Sequence, residues 1–195
     1  MVRLRLTAFA ATHARYIAAQ RAVKAAEDNL TTAAAVVQRC DAEQDAAVDA
    51  LARALVLDRQ PRANPFRGFG VPSPAVLQRR AAAAEAKAIH KLVAAVRRIE
   101  GCAASTLAAA QAAEAAASAV EEALASMRPA EAALRTARRA CDAVGQQWNP
   151  DLAALKRQAQ AAADAGAPHL HAALFARVGR TSRKQRRQRG RGGPR

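Results

Sequence analysis

The side chains with catalytic or ligating chemistry are few and scattered. His169 and His171 are the closest histidine pair. A spacing of two splays side chains on a helix, and no cysteine or acid stands beside them to complete a metal set. Cys40, Cys102 and Cys141 are odd in number and form no CxxC pair. Cys40 and Cys141 fall at apolar seam positions, where a free thiol behaves as a small hydrophobe, and none of the three has a partnered base. The glycine-rich run Gly190-Arg191-Gly192-Gly193 has no Lys-Ser/Thr after it and no strand pattern before it, so nucleotide binding is not expected. The residues therefore predict no catalytic group, no metal and no cofactor.

Two segments carry binding chemistry instead. The first is the C-terminal stretch with Arg183, Lys184, Arg186, Arg187 and Arg189. It suits nucleic-acid phosphates, an acidic protein surface or anionic lipid, with affinity that falls as salt rises. The second is Asn64-Pro65-Phe66-Arg67-Gly68-Phe69-Gly70, which holds two of only four phenylalanines. Phe66, Arg67 and Phe69 are candidate docking residues of an exposed tip. The competing expectation is that the two rings fold back and cap the helices that carry them.

Composition dictates what can position such segments. Alanine supplies 58 of 195 residues and aromatics only 3%. So little bulky apolar material cannot fill a deep globular core, which argues against a pocketed enzyme and against an all-β domain. Alanine with interspersed Arg, Glu and Gln is the composition of long helices in contact along narrow seams. The net charge is +15, and eight cations with no acid lie between Gly179 and Arg195.

Stepping by seven from Val2 reads Phe9, Tyr16, Val23, Leu30, Val37, Gln44 and Leu51. Three residues further on, the series reads Arg5, Thr12, Ala19, Ala26, Ala33, Cys40, Ala47 and Ala54. Large residues at one seam position and small ones at the other predict a supercoiled helix with a thin interface. Pro61, Pro65, Pro72 and Pro74 then break it near Asp58, and Ser73-Pro74 is a sound restart. A second seam follows with Ile89, Leu92, Val96 and Ile99, an alanine middle, then Val120, Leu124 and Met127.

The expected fold is thus all-α: a long antiparallel coiled-coil hairpin with extra C-terminal helices and a disordered basic tail. Residues 1–58 form the first helix and 59–73 the hairpin loop. Residues 74–148 form the second helix, kinked at Pro129, with Gly101 a soft spot inside it. Asn149-Pro150-Asp151 starts short helices over 149–178, and 179–195 is the tail.

The opening Arg3-Leu4-Arg5-Leu6 leading into the Phe9–Leu51 heptads, in a basic chain with a two-helix hairpin, resembles the stalk proteins of type III export. These are the FliJ/YscO family, with its Ala- and Arg-rich Hrp-type members. The resemblance covers roughly residues 1–128. It implies a non-catalytic stalk seated in a hexameric export ATPase, as the γ subunit is in F-type ATPases, and coupled to the export gate. Two other readings remain open: a basic helical protein that associates with nucleic acid or ribosomes, and a self-assembling scaffold.

No apolar run reaches the length of a membrane span, and no apolar signal-peptide core opens the chain. The basic, acid-free first 26 residues also read as a transit peptide, but the heptads run through them unbroken. Scattered cysteines fit a reducing cytosol, with a peripheral position at the inner membrane if the export resemblance holds.

Overall fold

The computed structural model describes residues 1–175, and within them the chain is all-α with no strand. The helices are α1 (Val2–Leu57), α2 (Pro74–Leu77), α3 (Ala82–Val96), α4 (Ala104–Asp164) and α5 (Pro168–Phe175). A 3-10 turn covers Arg67–Phe69. Val178 and the whole basic segment, including Arg183, Lys184, Arg186, Arg187 and Arg189, lie outside the described residues. The chain divides into two compact units, residues 22–138 and a second made of 1–21 with 139 onward.

In the unit spanning 22–138, α1 and α4 run antiparallel. Arg138 donates to Glu27 at 3.0 Å, Val120 and Ala123 cluster with Cys40, and the Thr106 hydroxyl reaches the Ala54 carbonyl at 3.4 Å. Between their near ends lies α3, a third helix parallel to α1. Its first residue, Ala82, packs beside Cys40 and Val120, while Val96 at its end shares a core with Leu55 and Phe66.

That arrangement corrects the expected second helix. Residues 74–148 are not one helix: the arm opposite α1 is α4, and 74–103 is folded into the hairpin end. Ser73 and Pro74 do start a helix, but it stops after four residues. Leu77 is fully buried there, and the Gln78 amide donates to the Asp45 carbonyl and to the Asp49 carboxylate at 3.2 and 3.0 Å. Ala81 is extended (ψ 137) before α3 begins.

Gly101 is a break rather than a soft spot, and Ile99 lies in that turn rather than on a helical seam. Gly101 takes φ +72, and Asp58 closes the corner by accepting the Ala103 N–H at 3.1 Å and the Cys102 thiol at 3.5 Å. The Ala103 N–H, followed by the neighbouring hydroxyl and thiol donors, holds the Asp58 carboxyl below its usual range. A carboxylate at the start of α4 also meets the positive end of the helix dipole. Across the corner, Arg97 grips Glu114 through both guanidinium nitrogens.

The two alternatives at Gly101 predict opposite signs for one mutation. In a helix interior, Gly101→Ala would stabilise by about 1 kcal/mol. At φ +72, with no atom within 4 Å of the added methyl, the backbone alone decides. Urea denaturation should therefore show Gly101→Ala destabilised by about 1 kcal/mol.

α1 ends one residue before the expected Asp58. Arg59, at φ +68, turns the chain left-handed, with its N–H bonded to the Val56 carbonyl (3.2 Å) and that of Gln60 to Leu55 (2.9 Å). This is the Schellman closure, and Pro61 then prevents continuation.

Pro129 and Pro150 end nothing: α4 passes through both. Each proline forfeits one backbone bond, to the carbonyl of Ala125 and of Gln146 respectively. Pro129, Pro150, Ala125 and Gln146 are all exposed, so water can satisfy the freed carbonyls. Alanine-rich flanks and buried neighbours, Ala123 and Leu134 about Pro129 and Leu155 and Ala159 after Pro150, supply the remaining drive.

The second unit is also built on antiparallel α1 and α4. The Thr12 hydroxyl donates to Asp151 at 2.7 Å, with Thr12 only 7% exposed. Asp151, expected as a helix-starting residue, is instead held by Thr12 and Gln147, which keep its carboxyl below the usual range. Four aromatic rings gather here: Trp148 meets Phe9, Tyr16 and His13 at centroid distances of 5.6, 5.8 and 6.2 Å. The indole N–H donates to His13 Nδ1 at 3.1 Å, satisfying its one donor.

Candidate docking tip

The seam residues divide by depth. Leu51, Ile89, Leu92, Val96 and Val120 are fully buried. Phe9, Tyr16, Val23, Leu30, Val37, Leu124 and Met127 are half-buried, as is Ile99 in its turn. Two thin helices cover such side chains on one side only. Full burial appears chiefly where α3 makes a third wall.

The loop from 58 to 73 sits over that three-walled end. Asn64 Oδ1 accepts the Phe66 N–H at 3.0 Å, and the Phe66 carbonyl accepts from Phe69 at 3.0 Å and Val71 at 3.4 Å. Gly70 turns the chain out of the 3-10 turn at φ +64. These bonds aim Phe66 inward. It is completely buried in the core with Leu51, Leu55, Leu77, Leu92 and Val96.

Phe66 is therefore a core residue and not a docking residue, because the loop carries its own turn chemistry and α3 provides a wall to receive the ring. Phe69 is half-buried against the same core. Of the three candidates, Arg67 alone is exposed.

What the loop leaves open is a groove of roughly 500 Å³ beside it. Ala52, Val56, Leu57, Pro65 and Pro74 supply its apolar lining, and Arg53 and Arg62 its charge. Leu57 is 86% exposed, an unusual position for a leucine. The signal for this groove was present in Leu55-Val56-Leu57: three consecutive large apolar residues exceed what one face of a helix can bury.

Comparison with protein-family models, curated proteins and solved structures finds no match. Function has to be argued from the chain's own chemistry.

The same unit buries a polar group that the heptads did not announce. Gln44, the one polar member of the large-residue series, is fully buried, and Glu85 of α3 is only 1% exposed. Both polar atoms of Gln44, both Glu85 oxygens and Asp45 Oδ1 are buried without a hydrogen-bond partner. Burial, then the charges of Asp45 and Asp41, push the Glu85 carboxyl up to about 7; the nearby Gln44 amide opposes this without cancelling it. Asp45 is raised as well, again by burial first and by Asp41 next. The sequence signal for Glu85 was slight, since an acid in the first turn of a helix is ordinarily a solvated, dipole-favoured residue.

Among the described residues, no three His, Cys, Asp or Glu side chains are grouped to hold a metal ion, and Cys40, Cys102 and Cys141 are free thiols. No helix among them is long and apolar enough to cross a membrane. A second groove of roughly 510 Å³, in the other unit, lies beside Tyr16, Asp142, Gly145 and Trp148.

Proposed function

We propose that this chain is a non-catalytic helical stalk or adaptor of a type III protein-export apparatus, acting in the cytosol and associating with the export ATPase hexamer and the export gate. The observation that carries the reading is the hairpin end. In the unit spanning 22–138, an alanine-lined helix pair terminates in a self-capped core that leaves an open apolar groove, with Leu57 projecting and Arg53 and Arg62 alongside. Interfaces draw their affinity from a few apolar anchors with charged neighbours that steer approach, and this end offers both. Away from that end the helices bury alanines with Leu134 and Leu155 and half-bury most of their other large residues, which suits a mechanical spacer better than a chemical site.

The test is capture of partners from the native organism with wild type, with Leu57→Asp/Arg62→Glu, and with residues 180–195 deleted. A hexameric ATPase should co-purify with wild type. The tip variant should lose most of it while keeping the wild-type circular dichroism spectrum, since Leu57 and Arg62 are exposed. If the captured material is nucleic acid or ribosomes, and nuclease removes every partner, the chain is a nucleic-acid-associated protein instead. Recovery of copies of this chain alone would mean a self-assembling scaffold.

A further inference from the structure

Glu85 of α3 is 1% exposed with both carboxyl oxygens buried and unpartnered, Asp45 of α1 likewise has its Oδ1 buried and unpartnered, and nothing in the export reading uses them. α3 carries Glu85, and the groups against it come from three elements. From α1 come Asp41, Gln44 and Asp45, with Asp49 bearing on Asp45. The segment before α3 contributes Gln78, which is engaged with Asp49 and the Asp45 carbonyl. On α4, Glu121 meets His90 of α3 at 3.5 Å. Lys87 of α3 is exposed. The charges that bear most on Glu85 are thus carboxylates, and Glu85 itself is buried while Asp41 and Asp45 are half-buried.

A buried Glu85 and an Asp45 whose Oδ1 is buried cannot both ionise cheaply, and those buried oxygens are costly to leave unpartnered. One proton between them resolves both costs, because the protonated oxygen becomes a donor to the other carboxylate. The helix that carries Glu85 has a break in the helical backbone at each end. α3 is bounded by the extended Ala81 on one side and by the Arg97–Ala103 turn with its left-handed Gly101 on the other.

We propose that Asp45 and Glu85 share a proton that latches α3 onto α1, and that loss of this proton loosens α3 at the hairpin end while α1 and α4 stay helical. The bond formed on latching is a carboxyl O–H donating to a carboxylate; on release the proton goes to solvent and two anions remain. The direction follows from the raised Glu85 value. A carboxyl that ionises near 4.5 when unfolded and near 7 when folded favours the closed contact fully below the lower value. That preference is lost as pH rises through about 7. Tenfold per pH unit of separation gives an opening equilibrium that rises roughly ten- to hundredfold across the window.

Amide hydrogen exchange on the full chain, corrected for intrinsic rates, reads this directly. Between pH 5.5 and 8.5, protection of residues 82–96 should fall roughly ten- to hundredfold, against less than about threefold in the α1–α4 seam around Leu30. Glu85→Gln should flatten the fall and Asp45→Asn should reduce it. His90→Gln should leave it in place, which separates the carboxyl pair from the His90–Glu121 contact. Carboxyl carbon shifts in the wild-type protein give a second reading that needs no variant: one of the two groups should titrate above pH 6. Flat wild-type protection, a wild-type slope in Glu85→Gln, or both carboxyls titrating below pH 5 overturns the latch.

Discussion

Phe66→Ala should destabilise the unit spanning residues 22–138 by about 3–5 kcal/mol, the range for deleting a fully buried phenyl ring from a core that cannot collapse around the void. Three features place it at the upper end. Phe66 is the largest of the fully buried side chains, its neighbours are branched aliphatics on α1 and α3, and its backbone is fixed by the Asn64 and Val71 contacts. Collapse would have to break that turn. Arg67→Ala, one residue on and exposed, should stay within about 0.5 kcal/mol of wild type. Urea denaturation followed by circular dichroism measures both. A Phe66→Ala protein of wild-type stability that fails to bind its partner would restore Phe66 as an exposed anchor and contradict the buried placement.

Pro129→Ala should do the reverse and stabilise the protein by about 2 kcal/mol. Proline in a helix interior is about 3 kcal/mol worse than alanine, and the more flexible unfolded chain of the alanine variant returns up to about 1 kcal/mol of that. Pro129 is exposed and sits mid-helix in α4, so no packing is lost on replacement and the bond to the Ala125 carbonyl is regained. Pro150→Ala, equally exposed in α4, should behave alike in the other unit. Destabilisation by Pro129→Ala would mean that α4 depends on the proline's backbone geometry. The helix would then be locally strained toward a shape alanine does not hold.

The groove and the carboxyl pair show how differently two parts of one hairpin end were visible in advance. Leu57 could be read as surplus: it follows Leu55 and Val56 on a helix whose heptads needed only Leu51 at that level. Glu85 could not. Its burial depends on α3 lying against residues 41–45 of α1, some 40 positions earlier, and nothing within α3 encodes that approach. Phe66 fell between the two. The scarcity of large core residues made an exposed ring plausible, and only the third helix supplied the wall that buried it.

Local physics settled whatever acts over one or two helical turns. The alanine content and seven-residue spacing committed the chain to helices. The prolines from Pro61 onward placed the end of α1 within one residue of its observed end, and Phe9, Tyr16, Val23, Leu30 and Val37 are half-buried along α1. Contacts far apart in sequence settled the rest. Asp58 reaches Ala103 and thereby sets the start of α4, and Gln78 reaches Asp45 and Asp49 where α2 stops. The reason is one of scale. A helix-breaking proline costs a few kcal/mol locally, and packed side chains on the same helix, such as Ala123 and Leu134, outweigh it by summing many small burials. A glycine carries no side chain to record which way its backbone will turn, so Gly101 became a corner only once Asp58 stood ready to close it.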